Sequence, residues 1–412
     1  MALPHHDERE TEARMTAGRT NIREHHWDAC RALFMLLGIP YHVAMAYRAN
    51  DVWIVNAGEG AFVFTWLADI IHLFRMPAFF VIAGYFAALL LARRAPGTWF
   101  SSRLTRLGIP FVATLLTLNP LLNLFCELSN FSWRPALASW QHNSEISGGY
   151  WVRHLWFIIV LLYCSAAAAL LCRISPRIRT GEIAPARDVR LARALPLTIL
   201  GAAIAIGLWE AIAIELFYMG GLATNLPQQI LRLDQVIEFA PWFLAGWLVA
   251  RAPAVKAALY RPSAGVALMG LVALGIHYAV GAQLHPAAGR FVDTIVAVSM
   301  TQMLVAAMKR LADRPHPLVQ EFVRASFVIY LFHLPIVAGL VVMGQPVAAP
   351  VVLKASVIMV LTLALSYAAW LVVARFPTLR LLFDGIRPAA ADAARTLPSR
   401  PLATRELGSQ HP

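Results

Sequence analysis

Ten apolar runs, each long enough to cross a hydrocarbon layer about 30 Å thick, recur along the chain. They fall near 29–49, 61–91, 109–127, 154–172, 195–217, 234–250, 263–281, 291–308, 325–344 and 351–374, and the segments between them are short, polar and often rich in arginine. The pattern predicts an all-α polytopic membrane protein with about ten transmembrane helices. Two stretches depart from plain spans. The run 61–91 would make a helix about 46 Å long, so its start must tilt, project outward or break, with Gly84 as a possible flex point. The connection 128–153 carries Trp133, Trp140, Tyr150 and Trp151, rings that suit either an interfacial belt or a surface for stacking against sugars.

Composition agrees with the pattern. Hydrophobic residues make up 59% of the 412, charged residues 14%, and the mean hydropathy is +0.60, which excludes an ordinary water-soluble domain. The net charge of +12 would suit a nucleic-acid partner if it were spread over a soluble surface. Instead, 27 of the 35 lysines and arginines fall in alternate loops and in the two tails. By the positive-inside rule this places both termini in the cytoplasm and leaves no reason to expect nucleic acid. Residues 1–27 are polar and His-rich with no apolar signal segment; they are expected to form a cytoplasmic tail. Residues 28–384 would form the membrane domain. Residues 385–412, rich in Ala, Pro and Arg, would form a disordered cytoplasmic tail. Cys30, Cys126, Cys164 and Cys172 lack metal-ligand spacing and read as packing residues, so no metal and no permanently bound cofactor is expected.

Polar groups inside apolar spans carry the chemistry, because a charge in hydrocarbon costs a few kcal/mol or more and marks a functional site by default. In the first span, Asp28, Arg31 and His42 share one helix face, and Pro40 removes a hydrogen bond to Leu36 and favours a kink just before His42. In the second, Asp69, His72 and Arg75 stand at i, i+3 and i+6, so Asp69 could fix the tautomer of His72. Arg103 and Arg106, one turn apart at the expected cytoplasmic start of the third span, present a donor-rich surface suited to phosphate. His154-Leu-Trp156-Phe opens the fourth span. Ser326, Tyr330 and His333 line one face of the ninth, with Ser326 and His333 about 10 Å apart, which favours hydrogen bonding between helices over a nucleophile and base pair. Glu210, Glu215 and His277 also lie in or near spans, but nothing in their spacing singles them out. On residue chemistry alone, a membrane enzyme and a proton-coupled secondary transporter both fit; the missing internal repeat argues against the transporter.

The ordered set of Arg31 to His42, Phe74-Arg75-Met76 with Phe79-Phe80-Val-Ile-Ala-Gly84, the Arg103–Arg106 pair, His154-Leu-Trp-Phe and Ser326 to His333 resembles the membrane acyltransferase-3 family from about Trp27 to Pro388. Within it, Leu36 to His42, Val55 to Glu59, Arg375 to Pro377 and Leu382 to Gly385 are similar to members that succinylate osmoregulated periplasmic glucans. The chain departs from the family pattern at Pro77-Ala, and 195–300 matches loosely. The resemblance implies a cytoplasmic acyl-CoA donor, succinyl-CoA among the candidates, and a hydroxyl of a periplasmic glucan or other envelope carbohydrate as acceptor, acetyl transfer being the alternative. On that basis Arg31, Arg103 and Arg106 would hold the donor phosphates and His42 would act as general base. Asp69 with His72 would orient or relay the proton, and Arg75 or Tyr330 would stabilise the thioester oxyanion or bind a succinyl carboxylate. His333 joins this catalytic group, while His154, Trp156 and Ser326 would contact substrate.

Overall fold

The computed structural model describes residues 24–49, 53–221 and 226–387, all of it helices and connections; among these residues no strand forms beyond one isolated bridge between Arg48 and Ala61. Most of residues 1–27 and 385–412, the two expected tails, therefore lie outside the described residues. Inside them, the bundle starts earlier than the apolar pattern suggested: a helix begins at His25, with His26 and Trp27 fully buried.

The first span is two helices, α1 (His25–Leu36) and α2 (Gly38–Ala46), interrupted at Leu37. Pro40 has no N–H to give the Leu36 carbonyl, so the helical ladder opens one turn before the proline. The second span, α3 (Phe62–Arg93), runs 32 residues without interruption and carries Pro77 inside it. At about 48 Å it is longer than the hydrocarbon layer is thick, and it does not break.

Next come α4 (Pro96–Leu116) and α5 (Leu118–Leu128), bent by 42° at Thr117. The 128–153 connection holds α6 (Trp133–Ile146). The remaining long helices are α7 (Trp156–Ile174), α8 (Leu195–Met219), α9 (Leu233–Ala250), α10 (Ala264–Val280), α11 (Pro286–Leu311), α12 (Pro317–Gly344) and α13 (Val351–Arg375), followed by the short α14 (Pro377–Asp384).

Eight spans among the described residues are long and apolar enough to cross a membrane, and the bent α4–α5 pair makes a ninth. These match nine of the ten expected runs; the tenth, 234–250, forms the helix α9, with Asp234, Gln235 and Glu238 diluting its first turns.

α9 packs along α3 more closely than any other helix pair here. Gly84 of α3 lies against the backbone of Phe243, and Gly246 of α9 against that of Val81, so a Cβ at either position would strike a carbonyl. Small residues let two helix backbones meet in a membrane. Gly84 is thus a packing contact, and the flex-point expectation is corrected.

The rings of the 128–153 connection are tied down through their polar ends. Trp140 donates to the Pro120 carbonyl at 3.0 Å, Trp151 to that of Ser144 at 2.8 Å, and the Tyr150 hydroxyl to Glu127 at 2.9 Å. Trp133 remains exposed.

Candidate active site

A cavity of about 740 Å³ opens among α1, α2, α3, α7, α8, α9, α11 and α12, within the range of small-molecule sites. Of the residues the sequence nominated, His42, His72, Arg75, His154, Trp156, Tyr330 and His333 line it. They come from four helices and a 3-10 turn.

The break at Leu37 sets the centre. Gly38 follows it, and a Cβ there would stand 3.0 Å from Arg75 Nη1 and 3.0 Å from His333 Nε2. A guanidinium and an imidazole therefore meet over a position that only a missing side chain leaves open.

The His333 Nδ1–H donates to the Tyr330 carbonyl at 2.7 Å. That fixes the tautomer, so Nε2 carries a lone pair; it is buried and has no hydrogen-bond partner among the described residues. His42 lies 5.2 Å from His333, ring centre to ring centre, and its buried Nδ1 is likewise without a partner.

Arg75 lies over the Tyr41 ring at 4.5 Å, its Nε has no partner, and no carboxylate pairs with it among the described residues. A buried cation without a counter-charge is costly. Its positive charge faces the cavity.

His154 is placed by the 3-10 turn Arg153–Leu155, where Arg153 takes φ 45°, a left-handed conformation that is unfavourable for a residue with a side chain. The Arg153 side chain is held by Asn123 at 2.7 Å and by the Tyr150 ring at 4.6 Å. The His154 ring lies 5.5 Å from Tyr330 and 5.8 Å from His333, with both nitrogens unpartnered among the described residues.

Other expected contacts form differently. Asp69 does not orient His72; it pairs with Arg48 at 3.6 Å, because the chain after α2 turns back and brings Arg48 beside the start of α3. His72 meets Tyr41 instead, Nδ1 to hydroxyl at 3.3 Å. The Tyr330 hydroxyl donates to the His154 carbonyl at 2.7 Å. Its proton is therefore engaged, and Arg75 is the better placed donor for an oxyanion. Ser326 lies outside the cavity and donates within its own helix, to Val323 at 3.0 Å.

Arg31, Arg103 and Arg106 also lie off the cavity, past its end at Phe34 and Met35. Their charges act on one another. Arg31 pairs with Asp28 at 3.8 Å, Arg103 reaches Ser165 at 3.4 Å, and Arg106 pairs with Asp384 of α14 at 3.3 Å. The shared face of Arg31 and His42 thus runs past the Leu37 break, with only His42 in the cavity.

The far wall contains Glu210, which the sequence offered without a role, and residues that sequence reasoning missed. Glu210 of α8 is buried and accepts from Trp242 Nε1 at 2.7 Å and from the Thr294 hydroxyl at 2.9 Å. Glu238 and Asp293 line the same wall, Asp293 held by His277 at 2.6 Å, and Arg290 pairs with Glu215. Trp156 stacks on Phe239 at 5.3 Å. Each of the three helices α8, α9 and α11 gives the wall one carboxylate, so only a charged group within an apolar run could have flagged it.

The family model for the acyltransferase-3 domain, described as "Acyltransferase domain", matches residues 24–371, nearly the whole described chain. The chain belongs to the acyltransferase-3 family. Among its relatives, the glucans biosynthesis protein C of Salmonella typhimurium strain LT2 is 28% identical over 386 residues, covering 91% of this chain and 98% of its own length. The proteins of that name from Salmonella paratyphi B and Salmonella paratyphi A are 28% and 29% identical over 377 and 378 residues, each covering 89% of this chain and 96% of the relative. No solved structure matches. The match spans every helix that lines the acyltransferase cavity, from α1 to α12.

Proposed function

We propose that this acyltransferase moves a succinyl or other short acyl group from cytoplasmic acyl-CoA to a hydroxyl of an osmoregulated periplasmic glucan, across a bacterial inner membrane. The observation that carries the reading is the meeting of Arg75 and His333 over Gly38, with His42 beside them and open valences on all three. Acyl transfer needs those valences. A neutral imidazole takes the proton of the attacking hydroxyl, and general-base catalysis of this kind is worth about 10² to 10⁴-fold. A fixed cation stabilises the oxyanion as the thioester carbonyl becomes tetrahedral.

In the proposed sequence His42 removes the hydroxyl proton, the oxygen attacks the thioester carbon, and Arg75 holds the developing oxyanion. The carbon–sulfur bond then breaks, and the imidazolium returns the proton to the CoA sulfur. His333, through the lone pair on Nε2, orients the acceptor hydroxyl. Arg31, Arg103 and Arg106 bind the CoA phosphates at the basic end of α1. Arg31 and His42 are separated by about 16 Å along the helix axis, so the pantetheine arm must pass Phe34 and Met35 beside the Leu37 break. The three relatives' shared name, which speaks of glucans, supports the acceptor class; the carboxylate and aromatic wall, with hydrogen-bonding groups beside ring faces, suits a neutral polyhydroxylated acceptor.

The test supplies succinyl-CoA labelled in the acyl group, together with glucan, to the purified protein in detergent. Label recovered as alkali-labile ester on the glucan supports the reading. Label that stays on CoA, with glucan unchanged, contradicts it and favours transport.

A further inference from the structure

His42 lacks the device that usually fixes a catalytic imidazole. A reacting histidine is ordinarily oriented through a hydrogen bond to its second nitrogen, yet His42 Nδ1 is buried with no partner among the described residues. Packing must set its plane instead. The Trp53 indole lies nearly parallel to the imidazole, centroids 5.2 Å apart and planes 18° from one another, and His333 flanks the ring at 5.2 Å with a 38° tilt. Trp53 belongs to no helix, so something else must hold it.

The segment that follows it is pinned at several points. Gln345 Nε2, just past α12, donates to the Asn56 carbonyl at 2.7 Å and to the Ser129 carbonyl at 2.9 Å. The Asn56 N–H donates to the Ser129 hydroxyl at 3.0 Å. Glu59 pairs with Lys354, a buried lysine that also donates to the carbonyls of Gly344 at 3.1 Å and Val347 at 2.8 Å. Gly60 lies against the Arg48 carbonyl with no room for a side chain, and Ala61 closes the segment on Tyr47 at 2.9 Å. So much bonding on an irregular segment makes it rigid, and its inner end is the ring that covers His42.

We propose that Trp53 is a positioning residue for His42, and that Gln345 and Lys354 act through the 53–61 segment to hold it there. The proposal rests on the acyl-transfer reading of the cavity. A displaced imidazole still allows both substrates to bind but misses the near-attack geometry, where a misplacement of about 1 Å can cost about 10²-fold. The role therefore shows in turnover rather than in either Michaelis constant.

Steady-state transfer from labelled succinyl-CoA to glucan by the full-length protein tests this with Trp53→Ala, Trp53→Phe and Gln345→Leu. Trp53→Ala should lower kcat by about 10 to 100-fold while KM for donor and acceptor stays within about twofold of wild type. Trp53→Phe, which restores a flat ring, should recover kcat to within about threefold, and Gln345→Leu should lower kcat by a smaller factor with both KM values unchanged. Should Trp53→Ala fail to fold, the Phe rescue and Gln345→Leu carry the test. A wild-type kcat in Trp53→Ala or Gln345→Leu, or a loss confined to KM, overturns the positioning role while leaving acyl transfer intact. A wild-type protein that leaves its label on the donor overturns the acyl-transfer reading and this proposal with it.

Discussion

Two polar clusters sit at opposite ends of the α1–α2 span, and they are built on opposite terms. At its start, Glu24 accepts from the hydroxyls of Tyr85 and Tyr260 and from Lys256 at 3.0 Å. Trp27 donates to Tyr260 at 3.0 Å, His26 meets Asp313 at 2.7 Å, and Lys309 meets the same carboxylate at 2.6 Å. Nearly every donor there has an acceptor, with His26 Nε2 the exception. Past the Leu37 break, Arg75, His42, His154 and His333 leave buried nitrogens without partners among the described residues. The first cluster is satisfied by the protein and ties α1 to α3 and to the helices around Lys256 and Asp313. The second leaves its open valences at the cavity. An unmade hydrogen bond in a buried site costs about 1–3 kcal/mol, and a fold carries that cost where function requires it.

Substitutions that treat the two clusters alike should give opposite results. The largest expected effect is at Arg75: Arg75→Met should lower kcat by about 10² to 10³-fold, as loss of an oxyanion donor does. Its melting temperature should stay level or rise, because an unpaired buried cation is replaced by an apolar chain of similar size. A marked fall in melting temperature would place Arg75 with the structural cluster. Next, Gly38→Ala puts a methyl 3.0 Å from both Arg75 and His333; kcat should fall about tenfold, measured beside an unchanged donor affinity.

At the basic end, Arg103→Ala should raise the donor Kd about tenfold, the loss of one charge-assisted contact, as read by titration with acyl-CoA. Arg106→Ala should do less, because its side chain is half exposed and already paired with Asp384. In the satisfied cluster, Glu24→Gln should cost about 1–3 kcal/mol of stability by leaving Lys256 without its counter-charge, with activity per folded molecule unchanged. A large loss of kcat there would erase the distinction between the clusters.

The apolar runs made the helices legible because in lipid a backbone can satisfy itself only within a helix or a barrel. Pro40 made the α1 break legible for a local reason. The open valences of His42, Arg75 and His333 were foreshadowed as polar groups in apolar sequence. What could not be read was pairing between distant segments. Asp69 faces Arg48 rather than His72 because the chain reverses between α2 and α3. Gly84 supports close packing because Gly246, more than 150 residues later, lies against the same helix. The carboxylate wall of Glu210, Glu238 and Asp293 comes from three helices with one contribution each, which no spacing can announce. The polar start of α9 has the same origin: two of the residues that dilute its apolar run, Gln235 and Glu238, line the cavity.

The most direct test of the account is single-turnover transfer from labelled succinyl-CoA to glucan by wild type and His42→Ala, with bound donor measured in the same samples. The account predicts equal donor binding, rapid ester formation by wild type, and at least a hundredfold slower formation, of the order that loss of a general base brings, by a His42→Ala protein that melts at the wild-type temperature. A folded His42→Ala protein that forms the ester at the wild-type rate would contradict it.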